Sequence, residues 1–234
     1  MSYPGDMATE LHRALQRYYA CEEGCIEAEV GDFRADVLVD DTVYEIQTRG
    51  FTAIRDKLRK LARSHRVVLV FPVPRDKVIV RVDVVTGEQL STRRSPKHGQ
   101  VADVFDELVY AFGLMRLTNF ALEVLLTVER ELRQNDGQGS WRRKGVSLVG
   151  RELQAIVGRQ RFEKPVELLR LLPEGLPERF TVADLEEGLG IKHRAASRMA
   201  YVLRELGVIE HVGERGRAYM YTTAGGFKHR SARV

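Results

Sequence analysis

Two carboxylates and an amide on one short hairpin are the most chemically loaded feature of the sequence. In RADVLVDDTVYEIQTRG, residues 34–50, a two-residue turn at Asp40–Asp41 would pair Val39 with Thr42, Leu38 with Val43, Val37 with Tyr44 and Asp36 with Glu45. Asp36 would then face Glu45, and Gln47, two residues on, would share that face. Like charges directly opposite each other destabilise a sheet. A bound divalent cation reverses that cost, because carboxylate oxygens suit Mg²⁺ or Mn²⁺. An unpaired carboxylate at Asp36, in a Val-rich strand, is costly. Gln47 can orient a water or a phosphate oxygen but brings no charge, and Lys57 or Arg49 could supply one.

The elements that must position these groups are read from periodicity. Residues 7–20 are predicted as a helix capped by Thr9 or Asp6, with Met7, Leu11, Ala14, Leu15 and Tyr18 as its apolar stripe. Strands are predicted over 26–31, 34–39 and 42–48, then a helix over 52–63. The apolar run VVLVF, 67–71, reads as a buried central strand and the alternating 77–85 as another. Residues 86–100 read as a loop, 101–133 as strongly helical, 135–145 as a flexible basic linker and 148–162 as helical. Phe105, Leu108, Phe112, Met115, Phe120, Leu122 and Leu126 read as core. The helices of 101–133 would serve as a spacer or as a homodimer surface.

This order resembles the PD-(D/E)XK nuclease superfamily, which includes type II restriction enzymes and archaeal-type Holliday-junction resolvases. The likeness covers roughly residues 7–85. It rests on Glu10 in the first helix, Asp36, and Glu45-Ile46-Gln47, followed by a helix and a strand. It implies an α/β fold with a mixed sheet flanked by helices. It also implies a Mg²⁺ held by Asp36, Glu45 and the Ile46 carbonyl, with Glu10 completing the shell, and a metal-activated water that attacks a DNA phosphate. Gln47 departs from the lysine usual in that family. That substitution admits an active variant and equally a nuclease fold that only binds DNA; the expected function is a metal-dependent DNA endonuclease, and the alternative is a non-catalytic DNA-binding protein such as a transcriptional regulator.

Residues 164–225 carry a second pattern. Pro165 opens a helix with Val166, Leu168, Leu169 and Leu172 on its apolar side. Thr181 caps TVADLEEGLG, which stops at Gly190, and a third helix runs from about Lys192 to Leu206 and ends at Gly207. Two alternating strands then flank a turn at Glu214–Gly216. This resembles the winged helix-turn-helix family. The likeness implies DNA contact by Lys192, His193, Arg194, Ser197 and Arg198 at the start of the third helix, and by Arg215 and Arg217 at the wing. A winged helix used for protein contact is the alternative.

The composition agrees with these expectations. The chain of 234 residues has a net charge of +4. From Gly190 to Val234 it carries nine basic residues against three acidic ones, an excess larger than that of the whole chain. Three regions are expected: a nuclease-like domain over 1–100, a helical extension over 101–163 and a winged helix over 164–234. No apolar run reaches membrane-spanning length, and the N-terminus lacks the pattern of a signal peptide, so a cytoplasmic protein is expected. Cys21 and Cys25 have no zinc-spaced partners and are read as reduced, partly buried thiols.

Overall fold

The computed structural model of the chain describes residues 10–21, 23–138 and 145–226. Its elements run α1 (Glu10–Ala20), β1 (Cys25–Val30), β2 (Phe33–Val39), β3 (Thr42–Ile46), α2 (Phe51–Leu61), β4 (Arg66–Val82), β5 (Gln89–Arg94), α3 (Phe105–Leu108), β6 (Phe120–Asn135), β7 (Val146–Phe162), α4 (Val182–Leu189), α5 (His193–Glu205), β8 (Ile209–Arg215) and β9 (Ala218–Thr223). The class is mixed α/β. Seven strands form one sheet in the order β1-β2-β3-β4-β6-β7, with β5 paired to β4, and β8 and β9 form a separate hairpin.

The chain divides into two compact units, neither contiguous in sequence. The first comprises Met1–Thr48, Val68–Val101 and Glu123–Gln160; the second comprises Arg49–Val67, Ala102–Leu122 and Arg161–Val234.

In the first unit, α1 buries Leu11, Leu15 and Tyr19, spaced four apart and therefore on one side of the helix. The helix packs against β1, β2 and β3. The β2–β3 hairpin has the expected register: Val37 opposite Tyr44, Leu38 opposite Val43, Val39 opposite Thr42. Asp40 takes a positive φ of 51° in the turn, a conformation that Asp tolerates better than most residues. The predicted caps Asp6 and Thr9 and the stripe residue Met7 lie outside the described residues.

Four expectations are corrected here. The apolar run at 67–71 and the alternating segment that follows are one strand, β4, which passes through Pro72 and Pro74. Proline removes an N–H donor, but its fixed φ does not end an extended chain. The expected loop at 86–100 contains β5, antiparallel to β4, with every residue exposed. The expected helical extension over 101–163 is not formed. Its helical part is confined to 3₁₀ turns at Val101–Val104 and Phe112–Arg116 and to the single turn of α3. The rest is β6 and β7, both long strands of the main sheet. Finally, Cys21 and Cys25 are exposed free thiols rather than partly buried ones.

The misassigned segment explains itself once its faces are separated. Leu122, Val124, Leu126 and Val128 alternate along β6, while Glu123, Thr127, Glu129 and Glu131 occupy the other face. These four polar residues are also buried. Glu129 is held by Arg151 (Nε–Oε2 2.8 Å, Nη2–Oε1 3.0 Å) and by the Thr127 hydroxyl at 2.7 Å. Glu131 accepts from Lys77 Nζ at 2.9 Å and from Arg133. Of the residues read as core, Phe105, Leu108, Met115, Phe120 and Leu122 are buried, and Phe112 and Leu126 are half-buried.

In the second unit, a 3₁₀ helix at Pro165–Leu171 precedes α4 and α5. It buries Leu168, Leu169 and Leu171, but Val166, expected on its apolar side, is exposed. Thr181 caps α4 in a reciprocal pair with Asp184, and Gly190 closes the helix with a φ of 61°. Gly207 at 74° follows α5. Phe180 pairs with Tyr221 of β9, so the chain before α4 adds one bridge to the hairpin. The hairpin turn sits at Gly216–Arg217, slightly later than expected. No helix among the described residues is long and apolar enough to cross a membrane.

Candidate functional site

The β2–β3 hairpin carries Asp36 and Glu45 just beyond its last paired residues, Val37 and Tyr44. The register that pairs Val37 with Tyr44 leads next to Asp36 and Glu45. On the other side of β2, the pairs Ile26–Val37 and Ala28–Ala35 bracket Glu27 opposite Asp36. Glu27, Asp36 and Glu45 thus lie on three successive strands, and the charges of all three act on His12. Glu27 sits at a positive φ of 54° and pairs with Arg34. Glu45 is buried, at 3% exposure.

Asp36 is satisfied by the protein on both oxygens. The Ile46 backbone N–H donates to Oδ2 at 2.7 Å. His12 Nε2 lies 3.2 Å from Oδ1. One turn along α1, the Gln16 amide donates to the Asp36 carbonyl at 3.3 Å. The His12 imidazole is held above its ordinary pKa, first by the hydrogen bond to Asp36 and further by the charges of Asp36, Glu45 and Glu27, against the opposing effect of burial. His12 therefore sits beside Asp36, and in its protonated form would offset repulsion among Asp36, Glu45 and Glu27.

A Mg²⁺ at the site implied by the nuclease likeness would compete with protein partners at Asp36 and Glu10. Glu10, expected to complete its shell, accepts a hydrogen bond from Arg17 at 3.0 Å on the exposed side of α1. Gln47 is half-buried and neutral; its backbone N–H donates to Val70 O at 2.9 Å. Among the described residues no group of three or more His, Cys, Asp or Glu side chains is disposed to hold a metal ion.

His12 is one of six histidines spread along the sequence. Its signal was the spacing His12–Gln16, which puts two polar side chains on one side of α1 toward the hairpin. A second missed group is Tyr19, whose hydroxyl donates to the buried Glu123 of β6, with Arg159 Nη1 at 4.0 Å from the same oxygen. Burial, and then Glu123, push the Tyr19 hydroxyl far above the usual phenol range, so it stays a donor.

In the second unit, the residues expected to touch DNA divide into two groups. Lys192, Arg194 and Arg217 are exposed, and Ser197 is half-exposed. His193 is exposed and pairs with Glu186 at 2.9 Å, and Arg215 reaches Asp184 and the Arg179 carbonyl, both at 3.4 Å. Arg198 is committed inward: Nη1 lies 2.6 Å from Asp106 Oδ1, and the guanidinium stands over the Tyr110 ring.

Residues 9–163 match the family model described as a domain of unknown function, DUF8091. The chain is also 30% identical over 215 residues to an uncharacterized protein of Treponema pallidum (strain Nichols), covering 91% of this chain and 84% of that one. No solved structure matches it.

Proposed function

We propose that this chain, which belongs to the DUF8091 family, is a DNA-binding protein that joins a nuclease-like core without metal-dependent cleavage to a winged helix. The observation that carries the DNA-binding part is the order of the second unit. Its helices and hairpin resemble a winged helix, and Lys192, Arg194 and Arg217 are exposed at the start of α5 and at the hairpin turn. Exposed cations in such places attract phosphate and release counterions. The core is nuclease-like in its order α1-β1-β2-β3-α2-β4, with β1 to β4 adjacent in the sheet. In that core, Asp36 accepts from the Ile46 N–H and lies beside His12 Nε2.

The second reading is cleavage by a Mg²⁺-dependent site, favoured by Asp36 and Glu45 on neighbouring strands. One experiment separates the two. Purified protein is mixed with duplex, single-stranded and branched DNA in Mg²⁺, Mn²⁺ or excess chelator, and binding and cleavage are both followed. We expect binding that survives chelation and DNA that stays intact. Cleavage that needs the cation and is lost in Asp36→Asn and Glu45→Gln would establish the nuclease. Absence of binding to all three DNAs would refute both readings.

A further inference from the structure

The cations of the first unit are unevenly answered. Arg17, Arg34, Lys77, Arg130, Arg133 and Arg151 each stand within ion-pair distance of a glutamate. Arg81, Arg93, Arg94 and Lys97 are exposed, and among the described residues none of them meets a carboxylate. All four lie on the β4–β5 hairpin or directly after it. Of the two acids in the hairpin turn, Asp83 is bound to the Val85 and Thr86 N–H groups, each at 2.8 Å, and Glu88 is exposed. The strand that carries Arg93 and Arg94 is bare. Every residue of β5 is exposed, so neither of its faces is covered, and its only partner among the described strands is β4. The register places Arg93 opposite Ile79 and Ser91 opposite Arg81, which puts Arg81 and Arg93 on one face; Arg94, opposite Val78, lies on the other.

A strand with cations on both faces and a free outer edge has the form of a blade. One sheet is about 10 Å thick, and the major groove of duplex DNA is about 12 Å wide with phosphates along both walls. We propose that β5 enters the major groove edge first, with Arg81 and Arg93 against the phosphates of one wall and Arg94 against those of the other. The planar fork of arginine suits phosphate oxygens better than a point charge does. The minor groove, about 6 Å wide, is too narrow for the same strand. An acidic peptide paired to this edge would have to carry acids on both of its faces, whereas duplex DNA offers phosphate on both sides by its shape. Phosphate contacts fix position and not base choice, so this contact adds affinity on any duplex. The proposal rests on the DNA-binding reading above and adds to it a contact from the other unit, separate from Lys192, Arg194 and Arg217.

The full chain is tested on a duplex of about 30 base pairs, close to three helical turns, by fluorescence anisotropy over a salt series. Wild type, Arg81→Ala with Arg93→Ala and Arg94→Ala, and Glu88→Gln are compared, and Lys192→Ala with Arg194→Ala reports the contact already proposed. Each is checked for cooperative melting and, by light scattering, for its mass. The substituted side chains are exposed, so all should fold. The triple variant should bind at least about tenfold more weakly, with a salt slope smaller by about 2.7 units, close to 0.9 per lost contact. Glu88→Gln removes an acid beside the blade and should bind about twofold tighter. Dimethyl sulfate attacks guanine N7 in the major groove, and wild type should shield guanines that the triple variant leaves reactive. A folded triple variant with wild-type affinity and slope, or with the same guanines shielded, would overturn the inference and leave the DNA-binding reading in place. So would a loss of affinity that comes with a fall in mass, which would assign β5 to pairing between copies. Polyglutamate bound as tightly as duplex, and lost in the triple variant, would assign it to an acidic peptide instead. A wild type that binds no duplex even at low salt would remove the DNA-binding reading, and this inference with it.

Discussion

The acidic corner of the first unit and the α5 side of the second present the same event with opposite charge. In each, a residue whose type suggests an external ligand is satisfied from within: Asp36 by His12 and the Ile46 N–H, Arg198 by Asp106 and Tyr110. They differ in depth. Asp36 sits beside a buried Glu45 and fixes a main-chain donor, whereas the Asp106 partner of Arg198 is half exposed. A charge-assisted bond in a shielded place contributes more than an ion pair in contact with water. The corner therefore reads as part of the first unit's framework, and the α5 clasp as a lighter fastening.

Asp36→Ala gives the largest expected effect. It strips the Ile46 N–H and His12 of their acceptor and should cost about 2 to 3 kcal/mol, read as a clear fall in melting temperature. Arg198→Ala should cost less, about 1 kcal/mol. The reverse ranking in thermal melts would break the contrast of depth.

A smaller effect sharpens the corner itself. Because the folded His12 has a raised pKa, its stabilisation is complete below the ordinary value of 6.5 and is lost as pH rises through the folded value. The melting-temperature gap between wild type and His12→Gln should thus be wide near the acidic end of neutrality and close in alkali. A gap that widens with pH would refute the imidazolium. The smallest expected effect is none at all. A cation at about 100 times its dissociation constant would add about 2.7 kcal/mol of stability, and we expect Mg²⁺ to leave the melting curve unmoved. A Mg²⁺-dependent rise that disappears in Glu45→Gln would reopen the corner as a metal site.

What was legible in the sequence depended on whether neighbours in the chain are also neighbours in space. The β2–β3 register followed from one tight turn, and α4 and α5 from their caps, because Asp40, Thr181 and Gly190 act within a few residues of themselves. The strand β6 was missed because its second face carries Glu123, Glu129 and Glu131, which resemble the solvated side of a helix until Arg151, Arg159 and Lys77 are brought to them from β7 and β4. Buried charges look like surface in a sequence, since their partners are distant along it. Asp36 stands out in its Val-rich strand, yet its companion His12 lies 24 residues away on another element. The clasp on Arg198 spans 92 residues and left no local mark at all.

The bond between Tyr19 and Glu123 joins residues 104 positions apart. During synthesis, α1 and the first three strands leave the ribosome well before the strand that meets Tyr19 exists. Until β6 emerges, the nascent chain holds an unmet hydroxyl, the apolar face of a half-built sheet and no closing element, the condition under which chains recruit chaperones or aggregate. A fragment cut near residue 100, tidy as it looks on paper, would be frozen in that state.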